Sequence, residues 1–200
     1  MRTDIENWRP LTVAQINAMF AGIPARWYMS GGWALDLHVG KQTRTHSDID
    51  ISIIREEQLI VYQHLARDWR LYKAEDGKLE LWEEGEFLEA TSDVWISKSG
   101  DAPWAFQLMI IDRIDNTWIY KREPSIRKPM DDIVLKTAAG IPYLRPEIQL
   151  LYKGGSSQIR EKDHQDFRMM LPLLEPQEKD WLKRSLMSQF PQGHAWMTCF

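Results

Sequence analysis

At 200 residues, 44% hydrophobic and 27% charged, the chain suits a single domain, or a core with a small helical addition, and its composition argues against disorder. A formal net charge of −4 supplies no broad positive field, which argues against a nucleic-acid partner, whereas an acidic surface favours a cationic small substrate. One cysteine, Cys199, leaves no internal disulfide framework or cysteine zinc site. The start, Met1-Arg2-Thr3-Asp4, does not read as a signal sequence, and no apolar run approaches the ~18 residues of a membrane span, so a cytoplasmic protein without membrane contact is expected.

In chain order, Thr12 with Gln15 forms a capping-box pattern ahead of a helix over 13–20, whose face is Val13, Ile16 and Phe20 and which Gly22 and Pro24 stop. Arg26 to Ser30 reads as a first strand ending at the Gly31-Gly32 turn. A short helix over Trp33 to Val39 follows, with Gly40 as its C-terminal cap. The second strand is expected to carry Asp48 and Asp50 into Ile51-Ser52-Ile53-Ile54. Arg55 to Trp69 then repeats apolar residues at helical spacing.

From Arg70 the period changes toward two, and Asp76-Gly77 between Leu71–Ala74 and Lys78–Trp82 is a hairpin signal. The stretch 83–99 reads as a helix or an irregular insertion. Trp104–Ile111 is a buried strand that pairs with Thr117–Tyr120 across Asp115-Asn116, and 122–139 is polar and broken by Pro124 and Pro129. Ile141–Leu144 follows as a short strand. After Arg145 the pattern is helical: Pro146 at a first helical position leads into Glu147–Lys153, Gly154-Gly155-Ser156-Ser157 reads as flexible, and helices cover about 162–170 and 176–189. A mixed sheet followed by helices predicts an α+β architecture, divided near Arg145 into a core over 1–145 and a C-terminal helical region over 146–200. Ten tryptophans are many for this length; Trp27, Trp82 and Trp104 lie in apolar runs and read as core, and others are free to line a groove.

The chemistry concentrates between Ser30 and Ile54. Side chains at i and i+2 of a strand leave the same face, so Asp48 and Asp50 point together, and two carboxylates that close repel unless a proton or a hard cation such as Mg²⁺ joins them. The first turn of a helix after Gly31-Gly32 offers backbone N–H groups to phosphate. A metal clamp beside a phosphate cradle points to phosphoryl or nucleotidyl transfer.

This wording, Gly31-Gly32-Trp33-Ala34-Leu35-Asp36, then Gly40, Thr43-Arg44, His46 and Asp48-Ile49-Asp50, resembles the nucleotidyltransferase superfamily with the polymerase-β-like core. It looks closest to the aminoglycoside and lincosamide nucleotidyltransferases. The stretch Gly140–Leu144 with Pro146–Lys153, and Lys162-Asp163 with Asp166-Phe167, is also similar to such proteins. The resemblance implies a polymerase-β-like core with a mixed sheet flanked by helices, plus C-terminal helices. It also implies transfer of a nucleoside monophosphate from a nucleoside triphosphate to a hydroxyl of a small acceptor, such as an aminoglycoside-like or lincosamide-like antibiotic. Asp48 and Asp50 are then the catalytic residues and Mg²⁺ ligands. Ser30, Gly31, Gly32, Arg44, His46 and Lys153 are the nucleotide-binding candidates, ATP among the nucleotides.

Arg44 offers a forked donor pair to phosphate, or a salt bridge to Asp48 or Asp36. His46 completes a His-x-Asp-x-Asp pattern that would suit a transition metal and metal-assisted hydrolysis, or it orients an aspartate. Asp36 in such a helix anchors the neighbouring loop. Lys153 reaches toward phosphate or remains a solvated partner of its helix dipole, and Lys162, Asp163 and Asp166 read as a helix-docking charge set. The partners expected are a nucleotide and a small acceptor, with room left for a homodimer.

The pattern departs from the family at one place. The slot for a third acid on a later strand holds Gln107, and Glu89, Asp93 or Asp112 would have to substitute; Asp112 falls on the opposite face by alternation. This departure motivates the alternative of a non-catalytic nucleotide-binding or regulatory module.

Overall fold

The computed structural model describes residues 1–75 and 77–200. Helix α1 (Val13–Phe20) carries the predicted capping box, with Gln15 N–H donating to Thr12 Oγ1. Strand β1 (Trp27–Ser30) runs directly into α2 (Gly31–Val39), which begins two residues earlier than the pattern suggested because Gly31 takes φ +65° and turns the chain at once. Gly40 caps α2 in the left-handed conformation. Strand β2 (Asp50–Ile54) starts only at Asp50, so Asp48 sits in the preceding loop and not on the strand as expected.

Helix α3 (Gln58–Leu65) follows a single 3₁₀ turn and ends four residues short of the predicted limit. The amides of Asp68 and Trp69 both return to the Leu65 carbonyl, and Trp69 keeps the helical spacing only because it is buried against Phe106. Strands β3 (Arg70–Glu75) and β4 (Lys78–Leu81) pair antiparallel as predicted. Asp76 of the expected turn lies outside the described residues. The ambiguous 83–99 stretch contains strand β5 (Asp93–Ser97), which inserts between β3 and β6 (Trp104–Ile114). Strand β7 (Thr117–Ile119) returns along β6 as predicted, and the broken segment after it holds the short strands β8 (Arg127–Pro129) and β9 (Val134–Lys136). Strand β10 (Pro142–Leu144) leads into α4 (Pro146–Gly154), α5 (Glu161–Met170) and α6 (Pro176–Gln189).

Among the described residues these strands form one mixed sheet in the order β4-β3-β5-β6-β2-β1-β10-β9, with β7 and β8 branching from β6. β2 pairs parallel with β6 and β1 parallel with β10, and the other pairs are antiparallel. Alternation sorts each strand onto two faces. Met29, Ile51, Ile53, Ile96 and Leu108 face α1 and α3, while Tyr28, Ile54 and Ile111 face α4, α5 and α6. Each fully buried Ile or Leu contributes about 1.5–3 kcal/mol.

The second face is divided. Its helical cover packs over Tyr28, Ile54 and Ile111, whereas farther out on β5 and β3 the same face carries a separate aromatic cluster of Tyr72, Leu79 and Trp104 with Trp8, Ala74 and Trp95. Gly154 and Gly155 are not a free hinge: a Cβ on Gly154 would lie 2.6 Å from the Trp196 ring, and one on Gly155 would meet the Tyr120 hydroxyl. No helix among the described residues is long and apolar enough to cross a membrane.

Candidate active site

β1 and β2 bring the site together. Ser30 and Asp50 are cross-strand partners, and Gln107 on β6 is the parallel neighbour of Asp50, so the three share one face. Gly31 lets the helix start against the acid: a Cβ there would collide with the Asp50 carboxylate, and φ +65° strains any L side chain. A Cβ on Gly32 would collide with the His46 ring and the Arg44 guanidinium. The bare glycines are therefore filled from below by the protein's own side chains, a reason the motif alone did not reveal.

The Gly31 N–H donates to Gln149 Oε1 (2.9 Å), so α4 already occupies one of the helix-start donors that the sequence assigned to phosphate. Ser30 Oγ is buried, caps none of them and has no partner among the described residues.

Asp36 anchors the following loop, as expected: it accepts from the Thr43 amide (3.1 Å) and hydroxyl, and pairs with His46 Nε2 at 2.6 Å. His46 stacks on Trp33 with ring centroids 4.6 Å apart. The aspartate that His46 orients is thus Asp36, not Asp48 or Asp50. Its Nε2 is committed to Asp36, which removes the support for a His-x-Asp-x-Asp hydrolase.

Arg44 pairs with neither Asp48 nor Asp36; both guanidinium arms reach Asp166 on α5 at 2.9 Å. Lys153 is buried rather than solvated, with its ammonium 3.1 Å from Asp163 and 2.9 Å from Asp166. Burial alone would raise Asp163 and Asp166, but hydrogen bonds from Arg160, Arg44 and Lys153 override it and hold both carboxyls below the usual range. Lys162 does not join this docking set; its ammonium is 4.0 Å from Asp48.

Burial, then the charge of Asp48, pushes Asp50 up to about 7, while Lys153 and Lys162 pull the other way and Asp93 adds to the rise. A carboxylate this reluctant to ionise alone is one that a divalent cation would relieve. The unpartnered Ser30 hydroxyl beside it fits the same group or a phosphate oxygen.

Gln107 does not face the site without an acid. Its Nε2 donates to Asp93 Oδ1 at 2.9 Å from the neighbouring strand β5. Asp93 stands opposite Met109 and so shares the face of Gln107 and Asp50. Its carboxyl is raised by burial, against the Gln107 hydrogen bond. Asp112 is taken by an ion pair with Arg55, and Glu89 lies exposed in a loop. The substitute was hard to single out in the sequence because β5 itself was unresolved there, although the alternation of Val94 and Ile96 was a usable signal.

A mixed sheet with a carboxylate pair at the head of a central strand and a glycine turn beside it is the polymerase-β-like nucleotidyltransferase fold. The aminoglycoside-2''-adenylyltransferase family profile matches residues 12–76, which run from α1 through β3 and contain every candidate named above except Lys153 and the residues of the later strands and helices. The structure superposes on ANT(2'')-Ia in complex with adenylyl-2''-tobramycin with a TM-score of 0.58 at 14% identity, over 89% of this chain and 96% of that one. It superposes on the lincosamide antibiotic adenylyltransferase LnuA, lincomycin-bound, with a TM-score of 0.56 at 20% identity, over 83% of this chain and 100% of that one. No curated protein sequence matches the chain. The chain has the fold of these nucleotidyltransferases, and over residues 12–76 it is similar to the aminoglycoside-2''-adenylyltransferase family.

Proposed function

We propose that the protein is a Mg²⁺-dependent nucleotidyltransferase that moves a nucleoside monophosphate from a nucleoside triphosphate to a hydroxyl of a small acceptor of the antibiotic type. The observation that carries this reading is the cross-strand pair of Asp50 and the unpartnered, buried Ser30 hydroxyl, seated where α2 begins and beside Asp48. Asp48 and Asp50 would hold the metal, which supplies charge neutralisation to the phosphate oxygens when bound.

Ser30 Oγ and the remaining helix-start amides donate to phosphate oxygens. Lys153, Arg44 and Lys162 place positive charge on the same side, where pyrophosphate departs. Gln107 holds Asp93 on the other side, where the carboxylate accepts the proton of the attacking hydroxyl. Asp93 fills the need that the non-catalytic module was meant to explain.

The test is pyrophosphate release from ATP, GTP, CTP and UTP with Mg²⁺ and either tobramycin or lincomycin. Turnover is expected, and Asp48→Asn or Asp50→Asn should lower it by about 10²–10³-fold, the loss typical of removing a group that stabilises transition-state charge. Asp93→Asn should abolish most turnover, and Asp93→Asn with Gln107→Asp should restore part of it by moving the acid one strand inward. Nucleotide binding without turnover across the panel would overturn the enzymatic reading.

A further inference from the structure

We infer that Trp95 is the floor of the acceptor subsite, lying beneath a saturated, sugar-like ring that carries the reactive hydroxyl. This rests on the nucleotidyl-transfer reading and adds to it which part of the acceptor is recognised, and by what.

The direction of attack narrows the place. The cations that act on Asp50 come from the helical side of the site: Lys153 from α4, Lys162 from α5 and Arg160 at the start of α5, with Arg44 held beside them on Asp166. An in-line displacement puts the nucleophile opposite the leaving pyrophosphate. The approach opposite those cations runs over β6 and β5. There the register forms a row on one face, from Asp50 to Gln107 to Trp95 to Tyr72. Two strand spacings separate Asp50 from Trp95, roughly 10 Å, which is the reach of a phosphate plus one six-membered ring.

Trp95 is built as a platform. Trp8 braces it at 4.9 Å and Trp104 at 5.3 Å with nearly perpendicular rings. Trp8 is fixed in turn by its indole N–H on the Ile5 carbonyl. Trp82, Trp104, Trp118 and Trp196 are fully buried, whereas Trp95, in mid-strand, stays half-buried next to the half-buried Gln107, Met109 and Asp93. A half-buried indole braced by two others, on the face of Gln107 and Asp93, suits the C–H face of a hydroxylated ring, with Asp93 two residues along the strand for the hydroxyl proton.

The experiment measures both Michaelis constants with whichever of tobramycin or lincomycin turns over. Trp95→Ala should raise KM for the acceptor about tenfold and leave KM for the nucleotide within about twofold, while Trp95→Phe keeps most of the wild-type value. An unchanged acceptor KM, or both constants rising together with a lowered melting temperature, overturns the inference and leaves the transferase reading standing. Absence of turnover with either acceptor counts against the transferase reading instead. The inference is then decided by titrating each compound into wild type and Trp95→Ala: tighter binding to wild type supports it, and equal or no binding overturns it.

Discussion

Gly31 meets two separate demands, a positive φ and contact with Asp50, and these can be told apart. Gly40 has a comparable φ of +79° with open space where a Cβ would go. Both Gly31→Ala and Gly40→Ala should therefore lose about 1–2 kcal/mol of stability, seen in denaturant melts, for the left-handed backbone. Only Gly31→Ala should also displace Asp50 and abolish nucleotide binding, as isothermal titration would show. At this scale the sequence was informative about the acids and the glycine turn, because their spacing is local. It could not show what fills the space beside Gly32, because His46 and Arg44 arrive there only through the path of the 41–49 loop. The same limit hid Asp166 as the partner of Arg44, 122 residues away.

Helix α5 behaves as a charged clasp beside Asp48 and Asp50. Asp166 accepts from Arg44 and Lys153 at once and is almost fully buried, so Asp166→Asn leaves Arg44 without its counter-charge and Lys153 with Asp163 alone. Removing one partner of such a buried network costs roughly 3 kcal/mol. The variant should melt at lower temperature and show a raised KM for the nucleotide, because Arg44 is no longer aimed. Arg168→Ala, which breaks the solvent-exposed pair with Glu161, should change neither. The docking role of Asp163 and Asp166 was readable from charge spacing on a helix. Strand β5 was not, because its stability comes from β3 and β6 on either side, contacts that local alternation in a short, polar-flanked segment does not announce. The strand that went unread is the one that carries Asp93.

For the whole molecule, the half-buried Asp50 and Asp93 set the sign of the pH dependence between about pH 4 and pH 7. Asp50 binds its proton up to about 7 when folded, against an ordinary 3.8, so between those values the native chain holds more protons than the unfolded one. Stability therefore falls as pH rises from about 4 to about 7, and burial of Asp93 adds in the same direction. Asp163 and Asp166, lowered in the fold, contribute stability that is lost only as pH drops below the ordinary carboxylate range. Calorimetry of the metal-free protein should give a lower melting temperature at about pH 8 than at about pH 5.5. Asp50→Asn should flatten that decline and melt above wild type at the higher pH. The α+β architecture was legible from the order of strands and helices. The two-sided core was not, since α4 to α6 pack back over β1, β2 and β6 and join distant parts of the chain in one cluster.

The alternation along β5 has an evolutionary corollary. Val94 and Ile96 are inserted in the core, while Asp93 and Trp95 stand on the opposite face with Met109 and Ala74 as neighbours. Met109 lies in none of the hydrophobic clusters, and Ala74 and Trp95 pack with the separate aromatic cluster rather than with Val94 and Ile96, so exchanges here fall outside the core that holds β5 in place. Such a layout would let a lineage retarget the molecules it modifies by a few exchanges on a single strand surface, while the machinery around Asp50 stays as it is.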